Sequence, residues 1–187
     1  MAQRILKLND TREDSLKYLQ QLTIEELMKI KGIGKVKALQ LKALCELTIR
    51  MTKPSNYKKI VIKKPEDLAK VLMPEMKFLK NEVVKVVMLN NKNQIFKIEE
   101  VSKCGNNFAN VSIRNILGQT LKAEVPKIII VHNHPSGDAT PSNQDLIFTE
   151  KILELFSEFN IEVLDHLVIG DMTYTSIMSE LVKNKRL

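Results

Sequence analysis

Apolar and polar positions change rhythm along the chain. Between residues 11 and 52 the apolar residues recur at helical steps: Leu16, Leu19 and Leu22, then Leu27 and Ile30, then Val36, Leu39, Ala43, Leu44 and Leu47. That spacing predicts three short helices. Thr11-Arg-Glu-Asp14 and Thr23-Ile-Glu-Glu26 supply helix starts with an acidic residue in the first turn. Gly32-Ile33-Gly34-Lys35 separates the second helix from the third. From residue 82 onward, short runs of β-branched residues alternate with helical patterns. Glu82–Leu89 predicts a strand, Asn90–Asn93 a turn and Ile95–Val101 the returning strand of a hairpin. Ser112–Lys122 predicts a helix burying Ile113, Ile116, Leu117 and Leu121, with Gly118 as its weak point. Ile128–Val131, bounded by Pro126, predicts a buried strand, and Ile152, Leu155, Phe156 and Phe159 mark a long helix. Ile161–Ile169 and Met172–Ser176 predict two further strands around a Gly170-Asp171 turn.

Strands and helices mixed on this plan fit an α/β sheet sandwiched by helices. The expected division is a helical segment at 1–52, a linker at 53–64 carrying Pro54-Ser-Asn56, and an α/β domain at 65–187. Pro65-Glu-Asp67 opens that domain with a helix running toward Leu72.

The strongest chemical signal follows the Ile128–Val131 run. His132 and His134 are separated by one residue, so on an extended backbone they point to the same side, roughly 7 Å apart. Two imidazoles at that spacing can converge on one metal at about 2 Å from each nitrogen. Pro135, Gly137 and Pro141 then turn the chain, and Asp145 falls in the first turn of the next helix. Two histidines and one aspartate leave one coordination position for water, the pattern of a catalytic zinc. The plainer reading is a polar strand end followed by a capping box, Ser142-x-x-Asp145. A longer string separates the two readings: His-x-His-Pro, six residues, Ser, two residues, Asp. It resembles the JAMM (MPN+) metalloenzymes, and His132-Asn-His-Pro-Ser-Gly-Asp138 with Thr140-Pro-Ser142 is similar to their bacterial RadC branch.

The resemblance implies the JAMM/MPN, cytidine-deaminase-like fold, a mixed sheet between helices. It implies zinc held by His132, His134 and Asp145. A metal hydrolase also needs a carboxylate to accept a proton. Glu82, Glu99, Glu100 and Glu124 are all candidates by residue type. The family places its glutamate directly before an apolar strand early in the domain, which selects Glu82. The family also gives the serine matching Ser142 an oxyanion-stabilising role. Asn133 stands where deubiquitinating relatives commonly have Ser or Thr, so their ubiquitin substrates do not transfer. Asp165 and His166 are expected to be structural or to support the site, and Asp138 to form the turn.

Charge adds a second theme. The net charge of +7 is uneven: residues 1–64 carry 15 Lys/Arg against 6 Asp/Glu, and residues 65–187 carry 14 against 16. A basic excess confined to one third of a chain suits an anionic partner, most often nucleic acid. Two helices joined by Gly-x-Gly resemble the helix-hairpin-helix motif. Gly32 and Gly34 would let the backbone approach a DNA phosphate at a helix N-terminus, with Lys35 and Lys37 adding contacts. RadC-like proteins usually carry another helical stretch ahead of this point, so the arm is expected to be shortened.

Together these readings predict a RadC-like zinc hydrolase of peptide or isopeptide bonds, tethered to DNA. The alternative is a DNA repair or recombination accessory protein whose metal is structural or whose chemistry is on nucleic acid. No apolar run approaches the length of a membrane span. Cys45 and Cys104 are isolated, which fits free thiols and a cytoplasmic location.

Overall fold

The computed structural model describes residues 19, 22–52, 57, 60–101 and 112–184. The chain divides into two compact units, 1–53 and 54–187. In the first, helix α1 spans Ile24–Met28 and helix α2 spans Lys35–Thr52. The expected capping box forms at α1, where Glu26 N–H donates to Thr23 Oγ1 and Thr23 N–H donates to the Glu26 carboxylate. Leu27, Ile33 and Ala38 are the buried centre of this unit. The first helix expected from the sequence, around residues 11–22, lies outside the described residues except for Leu19 and Leu22. No described helix is long and apolar enough to cross a membrane.

The second unit is the expected mixed α/β architecture. Its elements are α3 (Pro65–Met76), β1 (Val84–Leu89), β2 (Ile95–Glu100), α4 (Ile113–Ala123), β3 (Lys127–Asn133), α5 (Asn143–Glu158), β4 (Glu162–Ile169), β5 (Tyr174–Ser176) and α6 (Ile177–Asn184). The described strands form one sheet in the order β2-β1-β3-β4-β5. Only β3 and β4 are parallel; the other neighbours are antiparallel. A parallel pair needs a crossover, and α5 is that crossover.

Burial on both faces explains why β1 and β3 read as continuous apolar runs. Val84, Val86, Met88, Ile128 and Ile130 meet Ile116 of α4 and Ile152 and Phe156 of α5 on one face. Val87, Leu89, Ile129, Val131, Leu167 and Ile169 meet Leu68, Leu72 and Met76 of α3 on the other. Lys85 reaches out of β1 to Glu75 of α3 at 2.7 Å. Gly118 does not interrupt α4, because Ser112 caps its start and Glu124, at φ 52°, ends it in the left-handed region.

Three boundaries differ from expectation. Residues 60–64, assigned to a linker from their composition, belong to the domain. Ile62 is buried, and Ile60 and Ile62 bond the backbone of the β1–β2 hairpin at Asn93 and Ile95. Those bonds depend on residues some thirty positions away, which local composition does not report. Strand β1 begins at Val84 rather than Glu82, and β5 begins at Tyr174 rather than Met172.

Candidate metal centre

β3 and its crossover build the site. Val84 at the entry of β1 pairs with His132, and the end of β3 carries His132 and Asn133 toward the turn into α5. Open α/β sheets favour such strand ends for ligands. Pro135 to Pro141 return the chain, and Ser142 caps α5. The capping reading of Ser142-x-x-Asp145 holds. Asp145 N–H donates to Ser142 Oγ at 3.2 Å, while Asp145 Oδ2 accepts from Ser142 N–H and Ser142 Oγ, each at 2.7 Å. The same carboxylate faces the histidines: Oδ1 lies 3.5 Å from His132 Nε2 and Oδ2 lies 3.6 Å from His134 Nε2.

Glu82, His132, His134 and Asp145 each bring one donor atom into a cluster whose members all lie within 4.8 Å of one another. The two histidine Nε2 atoms are 3.1 Å apart, and Glu82 Oε1 is 4.0 Å from His132 Nε2. His132 and Asp145 are fully buried, whereas Glu82 and His134 keep some exposure, so the cluster opens on one side. His134 Nδ1 donates to the carbonyl of Asp138 at 2.8 Å, which turns the unprotonated Nε2 of the neutral ring into the cluster. Two ring nitrogens 3.1 Å apart beside two carboxylates suit a proton or a metal cation between them. A divalent ion fits these donors in type and number.

The titration behaviour says the same. Hydrogen bonding to Asp145 raises the His134 imidazole above its ordinary value; burial opposes this, and the Asp138 carbonyl reinforces it. Burial pushes the Asp145 carboxyl up, but the imidazoles of His132 and His134 beside it and the bonds from Ser142 outweigh this and hold the group well below the usual range. Thus a proton is drawn to the place that suits a metal.

The loop carrying His134 is laced to the β4–β5 turn. His134 N–H donates to the Ile169 carbonyl at 2.9 Å and Asp171 N–H donates to the Gly137 carbonyl at 2.7 Å. A Cβ at Gly170 would lie 2.4 Å from that Gly137 oxygen, so only glycine fits. Asp138 does form the turn, its carboxylate accepting from Thr140 N–H and Oγ1.

A family profile for the RadC-like JAB domain matches residues 62–182. The chain belongs to that family. Its start at residue 62 agrees with the packing of Ile62 rather than with a linker extending to 64. The UPF0758 protein of Alkaliphilus metalliredigens is 40% identical over 165 residues, covering 88% of this chain and 71% of that protein. The UPF0758 protein YsxA of Bacillus subtilis is 41% identical over 164 residues, with 88% and 71% covered. The UPF0758 protein TTE0897 of Caldanaerobacter subterraneus is 40% identical over 171 residues, with 91% and 72% covered.

Within this RadC-like domain, the remaining candidate carboxylates are sited differently. Glu99 and Glu100 lie on edge strand β2 and Glu124 ends α4, whereas Glu82 alone joins the cluster. Sequence reasoning missed what holds Glu82. Asn133 is buried, accepts from Val83 N–H at 2.8 Å and donates to the Asn81 carbonyl at 3.2 Å, gripping the backbone on both sides of Glu82. Of the other expected supports, His166 packs against His132 with ring centroids 4.9 Å apart. Asp165 Oδ1 accepts from the N–H groups of His166 and Met178 and from Ser176 Oγ. The candidate DNA contacts lie at the α1–α2 turn. Gly32 has φ 97°, Lys35 opens α2, and Lys37 Nζ donates to the Gly32 carbonyl at 3.2 Å.

Proposed function

We propose that this RadC-like domain is a zinc-dependent hydrolase of peptide or isopeptide bonds. The observation that carries the reading is the convergence of Glu82 with two histidines and an aspartate in one partly open cluster. Glu82, the fourth group of the cluster, stands 4.0 Å from His132 Nε2 on the open side, farther than His134 at 3.1 Å or Asp145 at 3.5 Å, which supports a proton acceptor rather than a fourth ligand. Bound zinc would supply Lewis acidity, polarising a carbonyl and making a water acidic near neutral pH. His132, His134 and Asp145 would hold the ion through Nε2, Nε2 and the carboxylate. Glu82 would accept the water's proton and return it to the leaving nitrogen, within reach of the reacting atoms because Asn133 fixes its backbone. Ser142 Oγ now donates to Asp145, so its oxyanion role requires the hydroxyl to turn toward the substrate.

The basic segment at residues 1–52 would tether the enzyme to DNA through phosphates at the Gly32–Lys37 turn. Its affinity would be modest and sequence-tolerant, in the micromolar range typical of non-specific binding. Zinc analysis with activity profiling on peptide and isopeptide libraries tests the hydrolase reading. Purified protein should carry about one zinc per chain, lost in His132→Ala. Glu82→Gln should keep the zinc and lose turnover by about two to four orders of magnitude. Undiminished turnover in Glu82→Gln would refute the role of Glu82, and stoichiometric zinc in a His132→Ala, His134→Ala double variant would refute the site.

A further inference from the structure

Behind His132 lies a second row of polar groups that the proposed chemistry does not use. His132 Nδ1 is 2.8 Å from His166 Nε2, and His166 Nδ1 is 2.6 Å from Thr149 Oγ1. Thr149 Oγ1 is in turn 2.6 Å from the main-chain carbonyl of Asp145. His132, His166 and Thr149 are all fully buried. Topology makes the row: β3 and β4 are parallel with Ile130 beside His166, which sets His166 diagonally behind His132 on the same sheet face. Thr149 lies one helical turn beyond Asp145 on α5.

The direction of each bond follows from which atoms own protons. A carbonyl oxygen has none, so two oxygens 2.6 Å apart require the Thr149 hydroxyl hydrogen between them. Thr149 Oγ1 can then only accept from the His166 side, which puts the ring's proton on His166 Nδ1. His166 is fully buried, and a charged ring in that position would give up its hydration, so the ring is neutral with a single proton. His166 Nε2 is therefore a lone pair, and His132 must donate to it from Nδ1–H. The remaining nitrogen, His132 Nε2, is left as a lone pair facing Glu82, His134 and Asp145.

We infer that Thr149 and His166 are positioning residues for the metal centre: they lock His132 in the tautomer whose Nε2 lone pair faces the ion. The row begins at the carbonyl of Asp145 and ends at His132, so two ligands are fixed by one chain of hydrogen bonds. Without the Thr149 hydroxyl, His166 Nδ1–H loses this acceptor, which shifts the balance toward the other His166 tautomer. That tautomer aims Nε2–H at His132 Nδ1 and drives the His132 proton to Nε2, where it blocks the metal. This inference rests on the metal site proposed above.

The test uses the full chain, zinc alone and two readouts. In nitrogen-15 imidazole spectra of metal-free protein at pH 8, His132 should carry its proton on Nδ1 and His166 should carry its proton on Nδ1. In competition titrations against a chromophoric chelator, Thr149→Val should bind zinc about 10–100-fold more weakly, and Thr149→Ser should stay within about threefold of the parent. The Thr149→Val spectra should show the His132 proton moved to Nε2, and the Thr149→Ser spectra should match the parent. A parent spectrum with the His132 proton on Nε2 overturns the inference, as does a Thr149→Val variant that melts earlier yet binds zinc like the parent. Failure of the parent to bind zinc would instead overturn the metal reading, and the spectra of the metal-free parent would still decide the tautomer. Should Thr149→Val fail to fold, those parent spectra decide alone.

Discussion

Replacing Asn133 with alanine removes a grip on the chain at the one point where it matters to Glu82. The side chain is 1% exposed and holds Val83 N–H at 2.8 Å and the Asn81 carbonyl at 3.2 Å. The Asn81 carbonyl belongs to an exposed residue, so water can replace that bond at little cost. Val83 N–H is part-buried and loses this acceptor, which costs about 1–3 kcal/mol with a further contribution from the void left by the amide. The expected loss is about 2–3 kcal/mol, a sizeable part of a typical domain's 5–15 kcal/mol. At about 4 °C per kcal/mol for a unit of this size, the melting temperature should fall by roughly 8–12 °C. Thermal melts and urea unfolding of the full chain measure this directly. Zinc binding should survive, because neither histidine nor Asp145 depends on the amide. Turnover should fall, and in a Glu82→Gln background the same substitution should change turnover no further, since both act through one group. A loss below about 0.5 kcal/mol, well under the cost of one orphaned donor, would refute the grip. Additive losses of turnover would refute its action through Glu82.

The loop that carries His134 offers a second perturbation. Gly170→Ala should lower both stability and zinc affinity, because its Cβ meets backbone atoms of Gly137 and Ala139 that cannot swing aside; unchanged melts and titrations would show that the loop relaxes freely. Zinc affinity should also weaken as pH falls, beginning above the ordinary imidazole value of 6.5, because the proton on His134 competes from its raised pKa. The His134 contribution to metal-free stability runs the opposite way: it is full below 6.5 and lost as pH rises through the raised value. Paired zinc titrations and apo melts between pH 5 and 9 check both signs. For the basic segment, Lys35→Glu should weaken DNA binding similarly across sequences and lower its salt dependence. Lys37→Glu is the less clean variant, because Lys37 also caps the Gly32 carbonyl. Equal DNA binding by the full chain and by a protein starting at residue 54 would refute the tether.

Local patterns carried much of the site. His132 and His134 converge because strand period two puts them on one face, and Asp145 joins them because three residues after a cap is the first helical turn. The sheet's strands were readable for the same reason, each being a short run of β-branched residues between turn formers. What escaped depends on register across the sheet. His166 supports His132 only because β4 lies parallel beside β3 with Ile130 opposite His166, and no local signal reports that pairing. Asn133 looked like a spacer between two histidines, yet its side chain acts on the opposite sheet face, on residues some fifty positions earlier. Ile60 and Ile62 were hidden among lysines and prolines, and their burial is visible only once the hairpin at Asn93 is in place.

Asp145 answers to two masters. Its carboxylate closes the capping box of a sixteen-residue helix and also faces both histidines. The histidines have no such second employment in the start of α5. A lineage that lost the metal site could therefore let His132 and His134 drift toward ordinary strand-end residues while the Ser142–Asp145 pair persisted, held by the helix it begins. Persistence of that serine and aspartate in a descendant would then testify to an architecture, and only the histidines would testify to a metal site.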